Sequence, residues 1–326
     1  MSRSCLLLAL GVLACGADER GPGEVGSPHR LIELPTDGDV ADPHVIQVGG
    51  TWYLYATNAP DELRVWHSDD LETWTFGGAV WKPTPGSWNA GQGVWAPHVQ
   101  LAPDGSFYLY ITANLRIGVA KASSPLGPFV DVFEHPLVGD GYGHVGNGAL
   151  GEKPLDFDER AIDAFVLDDA GELTLFFSAY DPTSKIYATP MLDYTTLDDV
   201  APKLVLAPSE GWEGLIVEGA WVEQHAGRYH LMYSGNIYMS TSYAIGVAES
   251  DAPLGPYQRY PNNPILKTDE ALELYAPGHN SVSTGRDGAR AIFYHTKRAP
   301  EVGADRRLRY APLGFGADGR VVVPEP

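Results

Sequence analysis

The sequence contains very little cysteine. Cys5 and Cys15 are its two cysteines among 326 residues, and both lie close to the N-terminus. A disulfide framework within the main body of the chain is therefore excluded, and an apolar core has to stabilise the fold. Long apolar runs are scarce as well, since the most extended one near the N-terminus is the nine-residue stretch 6–14. That stretch is too short to remain in a bilayer as a spanning helix.

Positive charge is the next shortage. The chain has 22 Lys and Arg residues against 42 Asp and Glu residues, which gives a formal net charge of −20. Such an acidic chain is repelled by nucleic acid and by anionic membrane surfaces, so we expect neither as a partner. A neutral polymer such as a polysaccharide is not repelled. Eight Trp and 17 Tyr suit stacking on sugars, although they suit the core of a β-sheet equally well.

The first 15 residues have the features of an export signal. Arg3 supplies positive charge, an apolar stretch follows, and small residues surround Cys15. Residues 12–15 (VLAC) resemble the motif at which a bacterial lipoprotein is cleaved and lipidated, while ordinary cleavage near Ala17 is the alternative. We therefore expect export of the protein, as a cell-surface or periplasmic lipoprotein or in secreted form, with a lipid anchor as its only membrane contact. Residues 16–30 are interpreted as a flexible tether and residues 31–326 as a single domain.

An internal repeat indicates the architecture. Residues 117–129 read IGVAKASSPLGPF and residues 245–257 read IGVAESDAPLGPY, so eight of 13 positions are identical. Extending this alignment outward gives five copies of one unit, each with a short strand, a Gly-containing turn and a second strand rich in aromatic residues. The units start at Asp42, Ala96, Asp163, Glu218 and Gly278.

A further strand is predicted after each of these hairpins. The sequence predicts no long amphipathic helix beyond residue 30. A two-sheet sandwich would contain similar strands, but it would not repeat one pattern five times at intervals of 54 to 67 residues. The pattern therefore predicts an all-β fold, a five-bladed β-propeller. The expected third strands are 63–67, 117–120, 186–189, 245–248 and 308–311.

Three of the five unit starts are carboxylic acids. In a propeller the first strand of every blade lines the central channel, so Asp42, Asp163 and Glu218 should face one another at its mouth. An isolated Asp before Pro, as in Asp42-Pro43, is commonly only a turn residue. Three acids in one confined site repel each other, a cost tolerated mainly where chemistry needs it. Hydrolysis of a glycoside needs one protonated and one ionised carboxyl.

With these features the chain resembles glycoside hydrolase family 43 and neighbouring arabinanase-like families. The resemblance runs from about residue 42 to residue 321, nearly the whole of the predicted domain. Its motifs are individually short, and their order across five units makes them specific. They are Ala41-Asp42-Pro43, Trp95-Ala96-Pro97, Ile162-Asp163 with Asp168-Asp169-Ala170-Gly171, Val217-Glu218-Gly219, and Pro277-Gly278-His279-Asn280.

The resemblance implies an inverting hydrolase of arabinose- or xylose-containing plant polysaccharides or oligosaccharides, of the α-L-arabinofuranosidase, arabinanase or β-xylosidase type. It implies that Asp42 is the general base, Glu218 the general acid, and Asp163 the group that tunes the pKa of the acid and orients it. The chain departs from the family pattern at Ala164 and Ala220, where the family often has Pro. These departures remove no catalytic group.

The resemblance also implies supporting residues. His279 matches a histidine near the channel axis that often holds a Ca²⁺ ion through water, and a structural, hydrogen-bonded histidine is the alternative. Arg306 matches an arginine that reaches the sugar, although an exposed loop arginine would look the same. Trp95 matches an aromatic wall of the sugar pocket, while a tryptophan at a strand end can also belong to the core.

Two other functions remain open at this point. A surface lipoprotein that binds glycans without cleaving them could use the same propeller, although retention of all three acids disfavours it. A phosphorylase would transfer the sugar to phosphate instead of water. That reaction calls for a cluster of cationic side chains near the acid, and none is evident in the sequence around Glu218.

Overall fold

The fold consists almost entirely of β-strands. The computed structural model describes residues 27–36, 38–91, 93–139, 142–143, 160–180 and 183–325. Within these ranges the helical segments are two 3₁₀ turns, Gly211–Glu213 and Glu270–Leu272, and no helix is long and apolar enough to cross a membrane. The predicted signal peptide and residues 16–26 of the predicted tether lie outside the described residues.

The strands are numbered along the chain. They are β1 (Arg30–Ile32), β2 (Ala41–Val48), β3 (Thr51–Thr57), β4 (Leu63–Ser68), β5 (Thr75–Trp81), β6 (Val94–Leu101), β7 (Phe107–Ala113), β8 (Arg116–Ala122), β9 (Val130–Asp131), β10 (Val138–Gly139), β11 (Tyr142–Gly143), β12 (Ala161–Asp169), β13 (Glu172–Tyr180), β14 (Ser184–Asp193), β15 (Thr196–Leu197), β16 (Lys203–Leu206), β17 (Val217–His225), β18 (Arg228–Gly235), β19 (Ala244–Ser250), β20 (Gln258–Arg259), β21 (Tyr275–Thr284), β22 (Arg290–Lys297), β23 (Arg306–Pro312), β24 (Gly314–Phe315) and β25 (Val321–Val322).

Five antiparallel sheets form the blades of a β-propeller, which confirms the predicted architecture. Blade I contains β2–β5, and blade II contains β6–β8 with the short strands β9–β11. Blade III contains β12–β16, and blade IV contains β17–β20. Blade V contains β21–β23 and takes β1 as its outermost strand. The innermost strands β2, β6, β12, β17 and β21 contact one another in a closed ring.

The first described strand, β1, completes blade V. Arg30 begins β1, and the buried ring of His29 accepts a hydrogen bond from the Tyr294 hydroxyl and donates one to the Pro324 carbonyl. The predicted domain boundary at residue 31 therefore falls inside β1. Because β1 pairs with β23, chain segments from both ends of the described sequence complete blade V.

The apolar core lies between neighbouring blades. Tyr55 of blade I and Leu109 of blade II share one apolar cluster, and Tyr110 and Phe177 share the cluster between blades II and III. All four side chains are fully buried. Burial of such a side chain contributes roughly 1.5–3 kcal/mol, so the packing of blade on blade stabilises the ring without disulfides.

Each innermost strand contains a β-bulge near its start. The pairing register with the second strand shifts there, and a residue in the bulge adopts a positive φ angle; β21 has a further register shift before this one, at Ala276 (φ 49°). Bulges commonly re-aim side chains next to active sites. The bulge residues are Asp42 (φ 50°), Ala96 (44°), Asp163 (59°), Gly219 (63°) and His279 (47°).

These bulges correct the alignment of the blades predicted from sequence. The structural equivalent of Asp42 and Asp163 in blade IV is Gly219, and Glu218 lies one residue earlier, paired with Ser234. In blade V the equivalent is His279 and not Gly278. The alignment of the sequence placed the three carboxyl residues at one equivalent position, whereas in the structure the bulge residues are equivalent. The Glu218 side chain therefore projects from a strand position one residue before that of the two aspartates.

A polar side chain on the second strand of each blade lies opposite the residue that precedes the bulge. In four of the five blades this side chain accepts the N–H of the bulge residue in the following blade. It therefore holds neighbouring blades together at the rim of the channel. The bonds are Thr57 Oγ1 with Ala96 N (2.9 Å), Thr112 Oγ1 with Asp163 N (3.1 Å), Ser234 Oγ with His279 N (2.7 Å) and His295 Nδ1 with Asp42 N (3.3 Å).

Candidate active site

A cavity of about 340 Å³ opens where the bulges of the blades converge. The structure brings all three predicted carboxyl groups to this cavity, and the exposed fractions of Asp42, Asp163 and Glu218 are only 6–8%. The predicted binding residues Trp95, Arg306 and His279 line it too. The other lining residues are Thr57, Leu115, Arg160, Ile162, Tyr180, Tyr238 and Tyr243.

Asp42 is surrounded by groups that favour its ionised form. The Thr57 hydroxyl donates to Oδ2 at 2.7 Å, and Nδ1 atoms of His279 and His295 lie 3.3 and 3.2 Å from Oδ1. The Arg306 guanidinium lies 3.6 Å from the same oxygen. Burial acts to raise the pKa of Asp42, but the two histidines and the arginine outweigh it and hold that pKa well below its usual range.

The pKa values of Asp163 and Glu218 are shifted in the opposite direction, upward. Burial raises the pKa of Glu218 to about 7, with a further contribution from the negative charge of Asp42. Burial and the charge of Glu218 raise the pKa of Asp163 well above its usual range, although the N–H of Gly219 donates to Oδ2 at 3.3 Å. The two carboxyls interact strongly and therefore titrate as a pair that retains protons near neutral pH.

Two tyrosines contact Glu218. The hydroxyl of Tyr243 donates to Oε1 at 2.7 Å, and the hydroxyl of Tyr180 lies 3.5 Å from Oε2. Neither was identified from the sequence. Tyr243 belongs to the loop before β19, and only its distance from Glu218 in three dimensions reveals the contact.

Arg306 is held on one side of the cavity. Its Nη2 and Nε atoms bind the Asp39 carboxylate at 2.6 and 3.0 Å, and its guanidinium stacks over the Tyr238 ring at 4.7 Å. The side chain is only 12% exposed, so the alternative of a free loop arginine is wrong. A guanidinium held in this way presents a fixed charge to the cavity.

Trp95 is partly exposed on the cavity wall and is not a core residue. Gly93 makes room for it, because a Cβ atom at Gly93 would lie 2.0 Å from the indole ring. Gly93 also adopts a φ angle of 62°, which disfavours other residues. The sequence around Trp95 thus places a flat apolar surface beside the carboxyl groups.

His279 contacts Asp42 directly. Among the described residues no cluster of three or more His, Cys, Asp or Glu side chains could hold a metal ion. Below the main cavity, however, lies a smaller one of about 20 Å³, lined by His279, Asn280 and Ser281 among others. Within the described part of the chain, Asn280 Oδ1 and Ser281 Oγ are buried without a hydrogen-bond partner. A void of this size holds one water molecule or small ion.

Sequence reasoning missed His295 and Thr57, which both bind Asp42. A signal for Thr57 was present, because the predicted units end in Thr or Ser at the corresponding position in four blades. His295 replaces that hydroxyl in blade V, where it pairs with Gly278. Because the next residue is Thr296, the sequence of blade V also has a hydroxyl residue at the end of its unit, which hides the exchange of a hydroxyl for an imidazole.

The cavity therefore combines two protonation states. The pKa of Asp42 is held low, so that this carboxyl is ionised at neutral pH, whereas the pKa of Glu218 is raised to about 7, so that this carboxyl keeps its proton until the pH approaches neutral. Carboxyls whose environments push their pKa values apart are the arrangement that general acid–base catalysis requires.

Comparison with known proteins agrees with this chemistry. The family model described as "Glycosyl hydrolases family 43" matches residues 34–321. The extracellular exo-alpha-(1->5)-L-arabinofuranosidase of Streptomyces avermitilis is 24% identical over 345 residues, an alignment that covers 97% of this chain and 68% of that protein.

Solved structures share the fold. A thermostable family-43 glycoside hydrolase is 30% identical with a TM-score of 0.78, over 91% of this chain and 96% of that chain. An endo-1,4-beta-xylanase from Bacteroides thetaiotaomicron is 27% identical with a TM-score of 0.77, over 89% and 95% of the two chains.

Proposed function

This chain belongs to glycosyl hydrolases family 43, and from that membership we propose that it hydrolyses arabinose- or xylose-containing plant polysaccharides or their oligosaccharides with inversion at the anomeric carbon. The observation that carries the proposal is that two buried carboxyls, Asp42 and Glu218, share one cavity while their surroundings shift their pKa values in opposite directions. Similar proteins named as an arabinofuranosidase and a xylanase support this substrate class.

In this mechanism Asp42 is the general base. Its carboxylate accepts a proton from water as that water attacks the anomeric carbon, and the proton on Glu218 passes to the departing glycosidic oxygen. Inversion requires room for water between the acid and the base, with carboxyls roughly 6.5–9.5 Å apart. The Arg306 guanidinium, together with the imidazole and hydroxyl groups around Asp42, keeps this carboxyl ionised, so it is ready to accept the proton.

Asp163 acts on Glu218 and does not itself react with the sugar. The two buried carboxyls repel each other's charge, so their pairing favours retention of a proton near neutral pH. Arg306 and Trp95 bind the sugar, the first through its N–H groups and the second through its ring face. Both are held in place before substrate arrives, which reduces the entropy lost on binding.

A Ca²⁺ ion near His279 stays a proposal from the family resemblance. The small cavity has room for one ion or one water molecule and offers the unpaired oxygens of Asn280 and Ser281. Because Ca²⁺ takes about six to eight oxygen ligands, water molecules, including one bound to His279, would have to supply most of the ligands of the ion. When bound, it would supply positive charge that offsets repulsion among the carboxylates. We also propose export of the protein, supported by the N-terminal signal features and by similarity to a protein named as extracellular.

The test is hydrolysis of arabinan, arabinoxylan, xylo-oligosaccharides and aryl glycosides, with the configuration of the first product read by NMR. Glu218→Gln should lower kcat by about 10³–10⁴-fold on natural glycosides, and much less on aryl glycosides with good leaving groups. An inverted product and an unchanged circular dichroism spectrum of the variant are expected. Turnover of natural glycosides at the wild-type rate by Glu218→Gln would contradict the proposal, and so would a dependence of wild-type turnover on inorganic phosphate.

A further inference from the structure

We propose that Tyr243 is a positioning residue for Glu218, which fixes one oxygen of its carboxyl and determines how strongly the other holds its proton. This inference rests on the proposed role of Glu218 as general acid. A donor bound to Oε1 leaves Oε2 as the oxygen that carries the proton. The proton is then directed to a single place in the cavity.

The position of Tyr243 is fixed by its surroundings. The residue is 1% exposed, and its hydroxyl donates to Glu218 Oε1 at 2.7 Å. Its ring is parallel to that of His295, with an interplanar angle of 2° and a centroid distance of 5.7 Å. Since His295 contacts Asp42, the two aromatic rings lie between the base and the acid. A side chain packed in this way cannot leave Glu218 without disturbing the other half of the site.

Gly278 provides the space for this ring. A Cβ atom at Gly278 would lie 1.9 Å from Cε1 of Tyr243, so no other residue fits unless the tyrosine moves. The φ angle of Gly278 is not in the left-handed region, and backbone conformation therefore does not require glycine there. The need for space explains a glycine in the Gly278-His279-Asn280 motif that no catalytic role explains.

The charges around Glu218 give Tyr243 a measurable effect. Besides burial, the negative charge of Asp42 opposes ionisation of Glu218, and the charge of ionised Glu218 in turn raises the pKa of Asp163. The groups that favour ionisation are Tyr243, Arg306 and Tyr180, with Tyr243 the strongest. Its bond is short, whereas the Tyr180 hydroxyl lies at 3.5 Å. Loss of the Tyr243 hydroxyl should therefore allow Glu218 to keep its proton to higher pH.

The experiment is the pH profile of kcat/KM for Tyr243→Phe on a glycoside with a poor leaving group. We expect the alkaline limb, which reports deprotonation of the acid, to move upward by about one pH unit. We also expect kcat at the optimum to fall about 10-fold with little change in KM. On an activated aryl glycoside the fall should be smaller, because that leaving group needs little protonation.

Tyr233→Phe is the matched control. Tyr233 is also buried in blade IV, and its hydroxyl donates to the buried Glu213 at 2.6 Å, outside the catalytic cavity. It should lose comparable thermal stability and keep the wild-type alkaline limb. NMR titration of the Glu218 carboxyl carbon gives a second readout that needs no turnover, with the same upward shift expected in Tyr243→Phe.

Three results separate the possibilities. An unchanged alkaline limb and an unchanged Glu218 titration in a folded Tyr243→Phe would overturn the inference while the proposed function stands. A wild-type protein that cleaves no glycoside would overturn the proposed function itself. Should Tyr243→Phe not fold, Gly278→Ala, which displaces the ring, must show the same upward shift of the Glu218 titration, or the inference is wrong.

Discussion

Asp42 and Glu218 are equally buried, each 8% exposed, and yet their pKa values move in opposite directions. Burial favours the neutral form of both. Around Asp42, two imidazoles and a guanidinium reverse that effect. Around Glu218, the hydrogen-bond donors to the carboxyl are neutral tyrosine hydroxyls, which reduce the effect of burial without cancelling it. The difference between the two sides of the cavity thus lies in their neighbours and not in their exposure.

The charged and imidazole neighbours of Asp42 come from a different blade than Asp42 itself. His279, His295 and Arg306 lie on the three successive strands β21, β22 and β23 of blade V, whereas Asp42 belongs to blade I. Blade I meets blade V only because the ring closes. The ionisation of Asp42 therefore depends on closure of the propeller, to which β1 contributes as the outer strand of blade V. The charge of the base is a property of the complete ring.

The largest expected effect comes from removal of the ionised carboxylate of Asp42. Asp42→Asn should lower kcat by about 10³–10⁴-fold, since no other described carboxylate in the cavity is held ionised. Unlike Glu218→Gln, it should fail equally on natural and activated glycosides, because attack by water needs the base whichever group departs. The measurement is kcat on both substrate types.

Asp39→Asn is the control for that variant. It makes the same chemical change three residues away, and Asp39 also binds Arg306. Because Asp39 does not line the cavity, we expect mainly a higher KM through a less well-held Arg306, with kcat within about 10-fold of wild type. Equal losses of kcat in Asp42→Asn and Asp39→Asn would mean that the effect arises from Arg306 and not from a base.

A smaller effect concerns the contribution of the Glu218 carboxyl to folding stability. Between pH 4.5 and about 7 the folded protein holds the Glu218 proton that the unfolded chain releases, so folding stability falls as pH rises through this window. Glu218→Gln lacks this penalty. It should be more stable than wild type at pH 8 by about 1–3 kcal/mol, and the gain should vanish near pH 4.5. Urea unfolding at both pH values measures it.

Glu213→Gln should behave in the opposite way. Burial opposes the ionisation of Glu213, but Arg259 and several N–H and O–H donors outweigh it and lower the pKa. Its stabilisation is therefore present above the pKa of the unfolded chain and is lost as pH falls. Glu213→Gln should be less stable than wild type at pH 8. If both variants were destabilised at pH 8, the raised pKa of Glu218 would be contradicted.

Sequence reasoning was sufficient for the architecture because the hairpin pattern repeats. The third strands predicted at 63–67, 117–120, 186–189, 245–248 and 308–311 all lie within strands of the structure. The repeat also brought Asp42, Asp163 and Glu218 to one cavity. These inferences depend on the periodic pattern of residues, which can be recognised from the sequence alone.

The contacts that determine the two pKa values could not be predicted in the same way. Alignment by carboxyl groups placed Glu218 at the position of Asp42, whereas the bulge places Gly219 there. Tyr243 and His295 have no repeated counterpart that would distinguish them. Tyr243 contacts Glu218 from a loop of the same blade, and His295 contacts Asp42 across the junction between blades V and I. The groups that set the two pKa values thus lie in tertiary contacts, where sequence spacing gives no signal.

The smallest expected effect concerns the hydroxyl groups at the junctions between blades. Thr57 and Thr112 occupy equivalent positions, and each accepts an N–H from the next blade. Only Thr57 also donates to a carboxylate, that of Asp42 at 2.7 Å. Thr57→Val and Thr112→Val should therefore cost similar stability, about 1–2 kcal/mol in thermal or urea unfolding, because each leaves one buried N–H unpaired.

Their effects on catalysis should differ. Loss of the Thr57 hydroxyl removes a hydrogen bond that favours ionised Asp42, so the acid limb of the kcat/KM profile should move to higher pH in Thr57→Val, with kcat reduced by about 10-fold or less. Thr112→Val should keep the wild-type acid limb. If the two variants moved this limb equally, the ionisation of Asp42 would depend on the general fit of the blades and not on its own hydrogen bonds.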